Sequence, residues 1–461
     1  IPSFGSGPHA GELHGSGYYS REEYIGLLRY AGERHIQVMP EIDVPGHARA
    51  AIVAMEARYE RLAAEGDESA ASEYRLHDPR DESTYRSVQR WDDNVINVCM
   101  ESTYRFLEKV VDELAEMHRE AGMPLTEVHI GADEVPVGVW QNSPACETLV
   151  AENPEVESTG QLFDYFLHRM VDILDERNIR LAGWEEIALT DQFYVHGPKE
   201  PNPEFVDRDF LPFVWNAVWG WGAEDLGYRL ANAGYDIVIS NASNLYFDLS
   251  YNKHPEEPGL YWAGFVGTRT AWEFVPCNLF RTASRDIMGN PISEANYEDA
   301  VRPTEEGRRN ILGIQGQLWS ETLVEPSRLE YMAFPRILAL AERAWAPEPD
   351  WTKIDDPDQR EPAMEDAWNE FANRLGQREL PRLDRLAGGI GYRIPAPGGV
   401  IRDGMLHASV SYPGMTIRYT TDGSTPSPES PEYQVPVSVD GPVMLRVFDT
   451  RGRGGRTVNV E

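Results

Sequence analysis

From Tyr19 to about Trp345 the sequence repeats one pattern, an amphipathic stretch at helical spacing next to a short apolar run. In SREEYIGLLRYAGERH, Ser20 is placed as an N-cap, Glu22 and Glu23 fall in the first turn, and IQVMPEI follows as a strand. TYRFLEKVVDELAEMHREAG precedes EVHIG, QLFDYFLHRMVDILDERN precedes IRLAGW, AEDLGYRLANAG precedes YDIVIS, and ILGIQGQLW leads into RLEYMAFPRILALAERAW. With FLPFVWN as a further strand, about six strands alternate with helices. Strands joined through helices lie parallel with right-handed crossovers, which allows an open doubly wound sheet or a closed barrel. Polar and aromatic residues sit at successive strand ends: Glu41 and Asp43, Asp133 and Glu134, Trp184 and Glu185, Trp215, Tyr246 and Asp248, Trp319 and Glu321. A barrel gathers such ends at one mouth, whereas an open sheet spreads them along an edge. The expectation is an α/β barrel of the TIM type.

Other segments interrupt or follow the repeat. Met55 to about Asn97 is long, polar and partly non-periodic, as expected of an insertion in a βα loop. After Trp345 come polar connections, a helix near Asp366 to Gly376, and IPAPGGVIRDG as a linker. Beyond it LHASVSY, MTIRYTTDG, PVSVD and VMLRVFDT are short alternating strands punctuated by Pro and Gly, the pattern of a small β-sandwich. A length of 461 residues with 41% apolar composition accommodates this division, a barrel domain over 1–390 and a sandwich domain over 391–461.

Composition excludes some functions. Against 42 Lys and Arg stand 76 Asp and Glu, a formal charge of -34 that repels nucleic-acid phosphates. No apolar window is long enough to span a membrane, and IPSFGSGPHAGELHGSG has no basic and apolar targeting pattern. A start at Ile1 instead of Met leaves room for a leader or longer N-terminal region. Cys99, Cys146 and Cys277 are far apart and odd in number, which supports neither a disulfide framework nor a cysteine zinc site.

Asp133 and Glu134 stand side by side after the apolar run VHIG. Neighbours in a regular strand face opposite ways, so both can enter one pocket only if the chain leaves the strand after Gly131. His47 lies four residues after Asp43, and a loop histidine is more often a hydrogen-bonded structural residue than a metal ligand. The chain has no HExxH, and His129 precedes a glycine turn, so a zinc site is not expected. WGWGAEDLG lacks a full dinucleotide fingerprint and reads as a loop. Asn241, Ala242 and Ser243 form a glycosylation sequon in the formal sense only.

HIGADE, His129 to Glu134, resembles the His-x-Gly-Gly/Ala-Asp-Glu signature of glycoside hydrolase family 20, the β-N-acetylhexosaminidases. MPEIDVPGHARA, GWEEI, NLYFDLSY, YWAG and GQLWSET are similar to further motifs of that family, in the order of its chitobiase-type bacterial branch, and the C-terminal module is similar to the sandwich that often closes such enzymes.

The resemblance implies a retaining, substrate-assisted exo-hydrolase that removes terminal N-acetylglucosamine or N-acetylgalactosamine from oligosaccharides without cofactor or metal, in a periplasmic or secreted location. It makes Glu134 the acid and base, Asp133 the acceptor of the acetamido N–H, and Tyr246 a donor to the acetamido oxygen. Trp184, Trp215, Trp262 and Trp319 match tryptophans that box the sugar, and Asp248 and Glu321 match residues that hold its hydroxyls. Asp43, His47 and His129 support the acid from behind. Six strands against the family's eight imply a chain without the first two βα units, which normally carry an arginine for the outer hydroxyls and an acidic residue near the histidine. Exposed edges would then need a partner or another completion of the sheet. Two other readings stay open, a double-displacement glycosidase with Glu185 or Glu186 as nucleophile and a noncatalytic N-acetylglucosamine-binding protein.

Overall fold

The structure is a computed structural model describing residues 17–193 and 199–461. Most of the N-terminal stretch read for targeting signals lies outside these residues.

Six parallel strands form one sheet in chain order: β1 (Glu41–Val44), β2 (Glu127–Gly131), β3 (Arg180–Trp184), β4 (Leu211–Val214), β5 (Ile237–Ile239) and β6 (Ile311–Ile314). Helices cross between them, chiefly α1 (Arg21–Gly32) ahead of β1, α2 (Arg49–Ala64), α3 (Glu101–Ala121), α4 (Leu162–Asp175) and α5 (Leu226–Ala233). The Ser20 hydroxyl accepts the Glu23 N–H while the Glu23 carboxylate accepts that of Ser20, so the capping box starts α1 where the sequence places it. β4 is buried along its whole length, whereas the outer strands β1 and β6 are partly exposed and Leu312 is 53% exposed. α6 (Pro326–Ala333) and α7 (Arg336–Trp345) follow β6, separated at Phe334-Pro335, and α8 (Pro357–Arg374) continues away from the sheet.

The C-terminal region holds two three-stranded antiparallel sheets. One orders β10 (Val437–Ser438), β8 (Met405–Ser409) and β7 (Gly398–Arg402); the other orders β12 (Val458–Val460), β11 (Val443–Phe448) and β9 (Thr416–Thr420). Leu406, Ile417, Val443, Leu445, Val447 and Val460 form a core of their own.

Three expectations are corrected, on the insertion, the helix near Asp366 and the linker. The insertion begins in an ordered helix, since Met55 lies within α2, because its aliphatic residues pack there although its periodicity is weak. The helix expected near Asp366 starts at Pro357, capped by the Asp356 side chain. The glycine-rich linker contributes β7, paired with β8 through its backbone. Asn241 is 2% exposed and Ser243 is also buried, so the sequon is closed to modification.

The cysteines also depart from expectation. Cys99 and Cys146, 47 residues apart, form a disulfide with Cα atoms 5.1 Å apart, a pairing that only the fold brings about. It ties the segment entering α3 to the helix at Pro144–Glu152. Closing a loop of this length restricts the unfolded chain by about 4 kcal/mol. Cys146→Ala is expected to lower unfolding free energy by that order in urea titration, with intact activity at low temperature.

Candidate active site

The chain leaves β2 through a sequence of unusual backbone angles. Gly131, Ala132 and Glu134 have φ of 68°, 75° and 53°, and the facing His47 has 50°. Non-glycine residues in this region are uncommon and collect where surrounding structure holds them for function. The turn breaks strand alternation, so Asp133 and Glu134 both reach the same cavity. Gly131 is doubly required, because a Cβ there would collide with the Asp43 side chain on β1.

This cavity, of about 550 Å³, opens at the C-terminal ends of the strands. Asp43, His47, Asp133, Glu134, Trp215, Tyr246, Asp248, Trp262, Trp319 and Glu321 all line it. Asp43 and His47, expected behind the acid, are thus part of the lining, whereas Trp184, expected in the lining, stands behind it with His129, whose place behind was expected. Trp184 is 1% exposed and packs 5.8 Å from Trp319, and His129 lies edge-on 4.9 Å from Trp184 and 5.0 Å from Phe213. Trp184 therefore braces a wall that Trp319 presents. The Gly131 N–H donates to His129 Nδ1 at 3.2 Å, which makes that nitrogen an acceptor, so its approach to Glu41 at 3.3 Å is no hydrogen bond.

The cavity also has walls that the sequence did not reveal. Val88 and Gln89 come from the insertion, and the Gln89 amide donates to Glu134 Oε2 at 3.3 Å. Trp221 and Leu260 complete the rim. Neither polar loop carries periodicity that could have signalled its approach; the only hint in WGWGAEDLG was its density of aromatic and glycine residues.

Backbone anchoring keeps the aromatic walls in place. Trp215 and Trp262 meet edge to face at 6.0 Å, and Tyr246 meets Trp262 at 5.7 Å and Trp319 at 6.4 Å. The Phe247 N–H donates to the Gln317 carbonyl at 2.7 Å and the Gln317 N–H to the Leu245 carbonyl at 3.0 Å, locking the chain after β5 to that after β6. Arg336 on α7 donates to the carbonyls of Leu249 at 2.7 Å and Val266 at 2.9 Å, and also to that of Phe247, so one buried guanidinium clasps the turn bearing Asp248. Glu185, in the turn just after β3, does similar work, accepting the N–H of Trp215 at 2.7 Å and of Asn216 at 3.2 Å.

Electrostatics separate the carboxyls. Burial, followed by the Asp133 charge, pushes Asp43 well above the usual carboxylate range. Burial also raises Glu134, with the Asp133 charge adding to it and His47 opposing it. Burial resists charge on His47, yet its Nε2 lies 3.2 Å from Glu134 Oε2 and 3.5 Å from Asp133 Oδ2, and contact with these carboxyls, with the Asp133 charge, holds its pKa up at about 12. The imidazolium thus pairs with both carboxyls, although neither contact has directed hydrogen-bond geometry. Burial raises Asp248 to about 7, and keeps Tyr246 a neutral phenol able to donate.

Asp43, His47 and Asp133 bring three potential ligand atoms within 4.8 Å. Among the described residues, buried Asp133 Oδ1 and both Asp248 oxygens have no hydrogen-bond partner, which suits a polar, hydroxyl-bearing or amide-bearing ligand.

Glu185 yields a prediction on pH. Its ordinary value is 4.5; burial lifts it to about 8 against the two backbone N–H bonds. The folded state therefore binds a proton that the unfolded state has released between these values. The resulting stabilisation is complete below about 4.5 and is lost as pH rises to about 8. Glu185→Gln is expected to flatten the fall of unfolding free energy across that window, measured by urea titration at several pH values.

Residues 5–348 match glycosyl hydrolase family 20, catalytic domain, which is most of the chain. The chain belongs to glycoside hydrolase family 20. Residues 379–457 match the chitobiase/beta-hexosaminidase C-terminal domain, the region of the two antiparallel sheets. A beta-hexosaminidase of Vibrio vulnificus is 38% identical over 484 residues, covering 100% of this chain and 54% of the relative. The N,N'-diacetylchitobiase of Vibrio harveyi is 37% identical over 465 residues, covering 92% of this chain and 50% of the relative. A crystal structure of the family 20 exo beta-N-acetylglucosaminidase of Vibrio harveyi in complex with N-acetylglucosamine is similar with a TM-score of 0.57 and 30% identity, over 82% of this chain and 46% of that one. The family 20 chain thus spans about half the length of these relatives, and its parallel sheet belongs to a TIM-barrel-like α/β domain.

Proposed function

We propose that this family 20 protein is an exo-acting β-N-acetylhexosaminidase of the chitobiase type, cleaving terminal N-acetylglucosamine or N-acetylgalactosamine from oligosaccharides. The observation that carries the reading is the convergence of Asp133, Glu134 and Tyr246 on one aromatic-walled cavity. The names of the Vibrio relatives support the same activity.

In this reading the substrate's acetamido oxygen attacks its own anomeric carbon as the glycosidic bond breaks, giving an oxazolinium ion with retention after a second step. Glu134 gives its proton to the leaving oxygen, a role served by its raised proton affinity, and then takes a proton from the water that opens the ring. Asp133 accepts the acetamido N–H and steadies the charge that develops there, and the neutral Tyr246 hydroxyl donates to the acetamido oxygen. Trp215, Trp262 and Trp319 offer flat faces to the sugar's apolar C–H surface, while Asp248 and Glu321 accept its hydroxyl hydrogens.

Glu185 is a poor candidate for a protein nucleophile. Both its oxygens accept backbone N–H groups, and neither Glu185 nor Glu186 lines the cavity.

We further infer that two more βα units close the barrel between β6 and β1, whose outer sides have no strand partner among the described residues. No Lys or Arg lines the cavity among those residues, so a cation for the outer hydroxyls would come from the closing units. The two C-terminal sheets, with a core of their own, suit a β-sandwich over 391–461 beside a catalytic domain over 1–390. The Cys99–Cys146 disulfide supports an oxidising, periplasmic or secreted location.

Proton NMR of 4-nitrophenyl β-N-acetylglucosaminide hydrolysis tests the reading. Release of the β-anomer first, with inhibition by the N-acetylglucosamine thiazoline, is expected; release of the α-anomer first contradicts it.

A further inference from the structure

Away from the barrel mouth, α7 ends against Phe274–Cys277 around a cavity of about 180 Å³. Phe274, Val275, Pro276 and Pro347 give it apolar walls, Glu348 lines it too, and Arg343 from α7 enters as its one cation among the described residues. Arg343 is 9% exposed and makes no hydrogen bond among the described residues; its Nε is buried without a partner. Its nearest carboxylate is Glu342, 4.0 Å away at the limit of ion-pair contact, and its guanidinium lies 5.1 Å from the Trp272 ring centre. Seven residues earlier on the same helix, the fully buried Arg336 binds a set of backbone carbonyls. A guanidinium carries five donors, and leaving one buried without a partner is costly; in Arg343 that donor is Nε. The contrast along one helix marks Arg343 as a cation built for a group that the chain does not supply.

The surroundings narrow that group. A single cation among apolar walls suits one negative charge joined to a short hydrocarbon tail. Glu348, exposed at the rim, disfavours a dianion such as phosphate. We propose that this cavity binds a small aliphatic monocarboxylate, its carboxylate on Arg343 and its tail against Phe274, Val275 and Pro347. The proposal is independent of the hydrolase reading.

Cys277, the free cysteine, lines the same cavity and reports on its occupancy. The test measures the rate at which Ellman's reagent modifies Cys277 in the native protein with butyrate, butyramide or inorganic phosphate, alongside calorimetric titration of butyrate. Butyrate is expected to slow modification roughly tenfold at about ten times its dissociation constant, with no protection by butyramide or phosphate. Arg343→Gln is expected to abolish protection and the heat of binding; where that variant does not fold, the wild-type butyrate and butyramide comparison decides. Equal protection by butyramide, equal protection by phosphate, or no protection by butyrate each overturns the proposal.

Discussion

Glu134→Gln is expected to lower kcat for chitobiose by roughly a hundred- to ten-thousand-fold, the usual contribution of a positioned acid and base. The amide keeps the size of the side chain but cannot deliver a proton to the leaving oxygen. The loss should be smaller in the first step with a 4-nitrophenyl leaving group, which departs without protonation. The pH profile gives a second readout. Burial raises the proton affinity of Glu134, so the wild-type rate falls as pH climbs through that raised value and the acid loses its proton. The residual rate of the glutamine variant should lack this alkaline limb. Equal kcat in variant and wild type on chitobiose would remove Glu134 from the chemistry.

Asp133→Asn should cost roughly a hundred- to a thousand-fold in kcat, comparable to removing one preorganised electrostatic partner from a transition state. The neutral amide cannot offset the positive charge that builds on the acetamido group. It also removes the Asp133 charge beside His47, which is the largest charge effect on Asp43. Proton affinity should then fall at both neighbours, His47 losing an attractive charge and Asp43 a repulsive one. NMR titration of the His47 ring checks this separately from turnover. An unchanged His47 titration with unchanged kcat would contradict both the geometry and the role.

The parallel sheet was legible because amphipathic helices and apolar runs alternate with little interruption. EVHIG and IRLAGW begin and end close to β2 and β3. What escaped was set by tertiary packing. β7 lies in a glycine-rich segment with no alternating pattern and exists through pairing with β8. Cys99 and Cys146 carry no mark of their pairing across 47 residues. The strand-end residues foretold most of the cavity lining, while the position of Trp184 behind Trp319 depended on side-chain packing. Val88 and Gln89 escaped because loops approach a site without periodicity, and the backbone turn through Ala132 and Glu134 explains how adjacent carboxylates share one cavity.

In the proposed mechanism the substrate supplies its own nucleophile. The most direct test compares 4-nitrophenyl β-N-acetylglucosaminide with the β-glucoside of the same leaving group on the wild-type protein. Turnover of the acetamido substrate with no measurable turnover of the glucoside is predicted, and comparable rates on the two would contradict the account.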